Sequence, residues 1–355
     1  MKGAGSYFMF SCMTLISSFV HVYLRNRLIL NLYQSLLLLT LLIWGGMLRA
    51  ESLPLPDSRV KTCLVGISTW SHYEENVRGF KDALNANGLS EGAEVIYLEI
   101  NAQANPQKQQ LLAEQLMHKR PCLVYSLTTP GTLIIKNVLP ETTPVVFSIV
   151  TYPADAGLIE SLDYSGNNLV GTSNYVPIKQ YKYLLEKAFP NARSVAIFRR
   201  NKEPNSKIQA ANVKRLFSKY GYRVVDVPVN SVDELIAKSS ELAQNTDVFF
   251  STTDTLMQSG GEAALIDVSY KTKTPVLSSN MSGVKQGAAA GAVSDLYKLG
   301  YSSGEMAAAI IKHGQRPATM RSHFQESPSL LINRQTFKTL GLKLPSFDKE
   351  VTYID

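Results

Sequence analysis

From residue 61 onward the chain alternates short, strongly apolar runs with longer stretches whose apolar residues recur every three or four positions. It does so in two successive series. A run of four to seven apolar residues leaves no side for solvent, so each reads as a strand covered on both faces. The runs 62–68, 94–98, 122–126 and 144–150 alternate with helical patterns at 74–87, from Pro106 onward, and at 129–138. In the first of these helices Val77, Phe80, Ala83 and Leu84 share one face, and Gly88 supplies the stop. Strands separated by helices build parallel sheets with helices on both faces.

The rhythm restarts after Val176-Pro177. Helical patterns at 178–189, 206–220, 232–243 and 260–273 alternate with apolar runs at 194–198, 222–229, 248–251 and 275–278. Two series of similar size predict an α/β protein with two lobes, although no direct sequence repeat relates the halves. At 355 residues, 45% of them hydrophobic and 18% charged, the chain can fill two cores, and disordered or collagen-like classes are excluded.

The first fifty residues do not read as fold. Arg25 and Arg27 precede an apolar run from Leu28 to Met47, and Leu48-Arg49-Ala50 leads into Glu51 and a Pro-rich stretch at 53–57. A short basic region, an apolar core and a small residue before a polar start form an export signal, which we expect to be cleaved after Ala50. A retained membrane anchor is the alternative, because the run is of bilayer-spanning length. Either way the body is expected outside the cytoplasmic membrane, in the periplasm. The leader also explains the charge. Four of the 36 basic residues lie in it and none of the 29 acidic ones, so the net charge of +7 shrinks over the body and gives no reason to expect a nucleic-acid partner. Cys63 and Cys122 each open a predicted strand beside apolar neighbours. They read as buried thiols, with a bond between them open in an oxidising compartment.

Ligands of open parallel sheets bind beyond the carboxyl ends of the strands. The tips there carry Ser68, Thr69 and Trp70; Thr128 and Thr129; Thr151 and Tyr152; Asn205 and Ser206; Asp254; and Asn280. Hydroxyls beside free helix N-terminal amides can hold a carboxylate, an Asp can receive an ammonium, and Trp70 and Tyr152 can stack on an apolar or aromatic group. Together they fit a zwitterion such as an amino acid. Each also has an ordinary structural use. Ser and Thr after strands are helix caps, Asp254 can cap the segment that follows it, and Trp70 can pack under the lobe interface.

Catalytic, metal and cofactor signals are thin. His72, His118, His313 and His323 stand at no metal-ligand spacing, no Gly-x-Ser-x-Gly elbow is present, and 287–291 lacks the Gly-Lys-Ser/Thr of a phosphate loop. That glycine-alanine stretch reads instead as a small-residue strand where backbones approach closely. Binding is favoured over turnover, and we expect no catalytic residue, metal or cofactor.

Several ordered stretches resemble the bacterial extracytoplasmic solute-binding proteins of ABC transporters related to tryptophan and tyrosine receptors. They are Pro144-Val145-Val146-Phe147-Ser148, Ala156-Gly157-Leu158, Asn168-Leu169-Val170-Gly171-Thr172-Ser173, Pro204-Asn205-Ser206, 287–300, Leu331-Ile332-Asn333 and Leu340-Gly341-Leu342 with Pro345. The resemblance implies a type I periplasmic-binding fold with a three-stranded hinge crossing near 172–175, 288–291 and 320–325. Lobe 1 would then hold 58–174 plus 289–320, and lobe 2 would hold 175–288 plus 325–355. Helix 296–313 would return to the first lobe and the last strand to the second. The family's binding positions fall at Ser68, Thr128, Thr129, Asn205, Asp254 and Asn280. Where members commonly carry Asp-Pro before the Ala-Gly-Leu segment, this chain has Tyr152-Pro153, which adds an aromatic wall or marks a different solute. The implied function is capture of a small solute, an amino acid with an aromatic or apolar side chain, for an ABC permease. A membrane sensor kinase is the alternative partner, and an exported α/β enzyme the alternative class.

Overall fold

The computed structural model describes residues 62–71 and 73–355. The expected signal or anchor lies outside the described residues, and no helix among those described is long and apolar enough to cross a membrane.

The first series begins with β1 (Cys63–Thr69), α1 (Glu74–Ala86), β2 (Val95–Asn101), α2 (Pro106–His118), β3 (Leu123–Leu127), α3 (Thr129–Val138), β4 (Val145–Ser148) and β5 (Leu169–Ser173). The second runs α4 (Ile178–Ala188), β6 (Ser194–Arg200), α5 (Pro204–Lys219), β7 (Arg223–Val229), α6 (Val232–Leu242), β8 (Val248–Ser251), α7 (Glu262–Thr272), β9 (Val276–Ser278), α8 (Met281–Gln286) and β10 (Ala290–Val293). The chain closes with α9 (Leu296–His313), β11 (His323–Phe324), β12 (Ser329–Asn333), α10 (Arg334–Leu340) and β13 (Thr352–Ile354). One sheet has the order β11-β5-β4-β3-β1-β2 and the other β13-β12-β10-β9-β8-β6-β7. Every pairing is parallel except that of β10 with β12. The expected class is therefore the observed one: two parallel-dominated sheets, each between helices.

Sequence chemistry explains the order of strands. β3, β4 and β8 are buried at every position and sit inside their sheets, whereas β2 and β7 alternate between covered and open residues and form edges. β4 ends at Ser148, short of the expected 150, because Ile149 takes a φ of +56° that no strand sustains. β5 lacks a continuous apolar run in the sequence, Gly171 and its two hydroxyl residues diluting the signal. Gly171 is needed there, since a Cβ would stand 2.0 Å from the Phe147 carbonyl oxygen.

The chain passes from one sheet to the other after β5, between β10 and α9, and between β11 and β12. The first, beyond Ser173, and the third, beyond Phe324, overlap the crossings expected near 172–175 and 320–325, whereas the second, beyond Val293, lies past the expected 288–291. The small residues at 288–291 suggested a hinge, but Ala290 and Gly291 pair with Leu277 and Ser278 of β9 and with β12, so they still belong to the second sheet. The passages are laced together: Ser294 Oγ donates to the Asn174 carbonyl at 3.1 Å, and Asp295 N to Gln325 Oε1 at 2.7 Å. After the second passage α9 returns to α1, where a Cβ on Gly300 would lie 1.9 Å from the Asn76 carbonyl oxygen. Asn76 then ties the helices to the sheet, donating to Ser148 Oγ at 3.0 Å and to the Leu296 carbonyl at 2.8 Å.

Cys63 and Cys122 form a disulfide, with Cα atoms 5.7 Å apart. Reading them as free buried thiols overlooked their sheet positions. β1 and β3 are adjacent and parallel, and each cysteine sits at the start of its strand. The bond lies at the opposite end of the sheet from the tips that carry the candidate site.

A candidate ligand cleft between the lobes

At the carboxyl ends of the first sheet the strands stop in an unusual backbone. Thr128, just past β3, has φ +70° and ψ 156°, and Ile149, just past β4, has φ +56°. Non-glycine residues in such conformations carry strain of about 1–3 kcal/mol, which persists only where surroundings enforce it. Here Thr128 N donates to the Ser148 carbonyl at 3.1 Å while its own Oγ1 caps α3 by accepting from Gly131 N at 3.3 Å. The next hydroxyl, Thr129 Oγ1, is buried and has no partner among the described residues. Trp70 packs against the first turn of α3, since a Cβ on Gly131 would stand 3.7 Å from Trp70 Cε3. The indole is 2% exposed, and its Nε1 is likewise unpartnered.

The second sheet presents a charged counterpart. The Glu203 carboxylate accepts from Thr255 Oγ1 at 2.6 Å, with Arg200 Nε 3.9 Å away. Burial, followed by the charge of Asp254, raises its pKa to about 7. Glu262 accepts from Asn280 Nδ2 at 2.9 Å and from Ser278 Oγ, and burial likewise takes it to about 7. Asn205, at the start of α5, donates Nδ2 to the Thr253 carbonyl at 2.6 Å and leaves its buried Oδ1 without a partner. Gln209 holds this edge in place, joining Ser279 Oγ at 2.9 Å and Thr253 N at 2.8 Å.

The two edges meet. Tyr73, between β1 and α1, donates its hydroxyl to Gln258 Oε1 at 2.6 Å. Gln258 Nε2 in turn donates to Asn280 Oδ1 at 3.1 Å, so a chain of bonds runs from Tyr73 in the first lobe to Glu262 in the second. Tyr73 is buried, and its hydroxyl is held above its ordinary pKa by burial, with the charges of Glu203 and Asp254 adding to the effect. At the passage itself, Asn174 Oδ1 is another buried, unpartnered acceptor.

The residues expected at the site thus divide. Trp70, Thr129 and Asn205 bring polar atoms that nothing among the described residues satisfies. Ser68 is turned into its own lobe, accepting from Gln109 Nε2 at 2.8 Å, and Thr69 donates to the Ile100 carbonyl at 3.2 Å. Ser206 donates back to the Arg200 and Glu203 carbonyls, both at 3.2 Å. Asn280 is saturated by Gln258, Glu262 and the Thr252 carbonyl. Asp254 accepts from Arg200 N and Thr252 Oγ1 on one oxygen and from Met257 N on the other, with Leu256 N also bonding to it. A carboxylate offers about four acceptor positions, so its bonds are internal. Burial raises its pKa. Thr151 offers its carbonyl to Ser173 Oγ at 2.9 Å. Tyr152 stands edge-on to Tyr175, ring centroids 5.6 Å apart.

Sequence reasoning missed Tyr73, Glu203, Gln258, Glu262 and Asn174. Glu203 alone carried a signal, being an acid directly before the Pro-Asn-Ser that opens α5. The others are ordinary residues until the two sheets face each other.

Two parallel-dominated sheets, bridged by three passages and facing each other along polar strand ends, define the class of solute-binding proteins that hold a guest between lobes. The family model for ABC transporter substrate binding proteins matches residues 64–347, and the chain belongs to that family. Among curated relatives, a tyrosine-binding protein of Clostridioides difficile (strain R20291) is 29% identical over 277 residues, 78% of this chain and 79% of its own. A conserved domain protein of Vibrio cholerae superposes with a TM-score of 0.77 at 26% identity, covering 80% of this chain and 96% of the other. An ABC domain from Streptococcus pneumoniae in complex with L-Trp gives 0.76 at 23% identity, also over 80% and 96%. A ligand-free, open substrate-binding protein with adhesive properties from Clostridium difficile gives 0.66 at 27% identity over 82% and 99%.

Proposed function

We propose that this protein is an extracytoplasmic receptor that captures an aromatic amino acid between its lobes and presents it, chemically unaltered, to an ABC permease. The observation that carries this reading is the set of buried, unpartnered polar atoms at the lobe-facing strand ends: Trp70 Nε1 and Thr129 Oγ1 from one side, Asn205 Oδ1 from the other, and Asn174 Oδ1 at a passage. Leaving a buried polar group unsatisfied costs about 1–3 kcal/mol. A guest that supplies both donors and acceptors relieves several such costs at once.

The chemistry of the two sides matches the two ends of an amino acid. Thr129 at the start of α3 offers a hydroxyl beside helix N-terminal dipoles, suited to a carboxylate. The charge of Asp254 adds to burial in raising the Glu203 pKa, and an ammonium group placed beside the two carboxylates relieves that repulsion. Trp70 and Tyr73 supply aromatic surface between. The names of the C. difficile relative and of the L-Trp complex point to the same ligand class, and the disulfide suits an oxidising compartment. Closure around the guest brings Tyr73 to Gln258, so ligand favours the joined state over the parted one.

Thermal unfolding of the purified protein against single amino acids tests the reading, because a ligand that binds only the folded state raises the transition temperature. L-tyrosine, L-tryptophan or L-phenylalanine should raise it dose-dependently while L-alanine and L-glutamate do not. A flat response to all three aromatics, or chemical conversion of any of them, would overturn it.

A further inference from the structure

We infer that a second ligand site, for a small aromatic carboxylate, lies beside the passages in a cavity of about 820 Å³. None of Trp70, Thr129, Asn205 or Asp254 lines it, so it is separate from the deep cleft. One wall is a row of rings: Tyr152 stands edge-on to Tyr175, and Tyr175 to Phe324, each pair with centroids 5.6 Å apart. Edge-to-face rows of this kind accept another flat ring at little cost. The opposite wall comes from one face of α5, where Asn212, Arg215, Leu216 and Lys219 follow helical spacing, and Lys179 in the first turn of α4 adds a third cation.

The charges on this rim call for an anion. Arg215 and Lys219 are like charges at i and i+4, an arrangement that disfavours the helix unless something negative lies between them. Among the described residues neither they nor Lys179 pairs with a carboxylate, and the guanidinium's bond is to Asn212 Oδ1 at 3.3 Å. Asp155 is the one acid in the lining, against three cations. Arg presents a fork that fits a carboxylate, and the cavity has ample room for a ring with a short side arm. A ligand here needs no ammonium, which separates its chemistry from that proposed for the cleft.

The cavity is walled by both lobes. Tyr152 comes from the first, and its neutral hydroxyl, kept protonated by burial, has the Asn212 side chain of the second as hydrogen-bonding neighbour. An occupant therefore touches both lobes and biases their closure, which couples this site to the cleft in both directions.

Calorimetric titration of the purified protein with 4-hydroxyphenylacetate, and with tyramine as its amine counterpart, tests the inference. The carboxylate should bind and tyramine should not. The double substitution Arg215→Glu/Lys219→Glu should lower affinity for the carboxylate at least tenfold, and Tyr175→Ala several-fold. Lys207→Glu/Lys214→Glu makes the same charge change on exposed positions of the same helix and should alter affinity less than twofold. Absence of binding by 4-hydroxyphenylacetate, equal binding by tyramine, or equal losses in the two double variants would each overturn the site. None of these results bears on the response of the cleft to L-tyrosine, so the two readings fail separately.

Discussion

The two edges that face each other across the cleft are built from opposite materials. The first lobe offers an uncharged edge of an indole, a phenol and threonine hydroxyls, set on strained backbone at Thr128 and Ile149. The second offers three buried carboxylates, Glu203, Asp254 and Glu262, each with a pKa raised by burial. One side stores its readiness in backbone geometry and packing, the other in electrostatics. A guest with an aromatic body and a charged head satisfies both, and neither lobe does so alone.

Substitution of Trp70 should break the first side most severely. Trp70→Ala removes a ring that is 2% exposed and should cost about 3–5 kcal/mol in urea unfolding, with loss of measurable ligand binding. A cost under about 1 kcal/mol by the same scale would mean that the indole is not held by the fold.

The second side should declare itself through pH. Glu203 and Glu262 have folded pKa values raised from 4.5 to about 7, so the folded state binds more protons than the unfolded one between those values. Their contribution to stability is then greatest below pH 4.5, falls as pH rises toward 7, and is level above it. Unfolding free energies between pH 5 and 8 should show a decline on the order of a few kcal/mol from this pair, and Glu262→Gln should flatten part of it. Amine-bearing ligands should follow the opposite course. An ammonium favours the ionised carboxylates, so affinity rises with pH over this range and binding releases protons, as calorimetry in buffers of different ionisation enthalpy would record.

Two smaller effects sharpen the contrast between the lobes. Asn205→Ala should weaken the ligand roughly tenfold and also lower stability by about 1–3 kcal/mol, because the buried Thr253 carbonyl loses its donor. Tyr73→Phe removes the hydroxyl that joins Gln258 across the lobes and should weaken binding about fivefold, corresponding to one neutral hydrogen bond of about 1 kcal/mol. Binding unaffected by Tyr73→Phe would show that closure does not rest on that bond.

Much of the fold was legible before any coordinates. Runs such as Phe249-Phe250 and Val145-Val146 are apolar at every position because helices cover both faces, and that continuity marks an interior parallel strand in the sequence itself. Elements whose residues serve close approach were less visible. β5 carries Gly171 and two hydroxyls because the Phe147 backbone presses on it, so its apolar signal is weak, while the small residues of β10 marked a strand without marking its bounds. At the site, the concentration of Ser, Thr, Asn and aromatic residues at strand tips marked a region, but not which of them remain free. Ser68 and Thr129 look alike in sequence; one is satisfied by Gln109, forty-one positions away, and the other by nothing among the described residues.

By itself the sequence determined the local periods, and through them two helix-flanked parallel sheets whose polar strand ends face outward from each core. That much follows from apolar burial, which each segment of chain records in its own pattern. Only the tertiary structure decided which polar groups are already spent. Hydrogen bonds of the Tyr73–Gln258 and Asn205–Thr253 kind join residues distant along the chain. The same holds for one oxygen of Asp254, which the Arg200 amide reaches only once β6 and β8 lie side by side, while the Met257 amide three positions on caps the other locally.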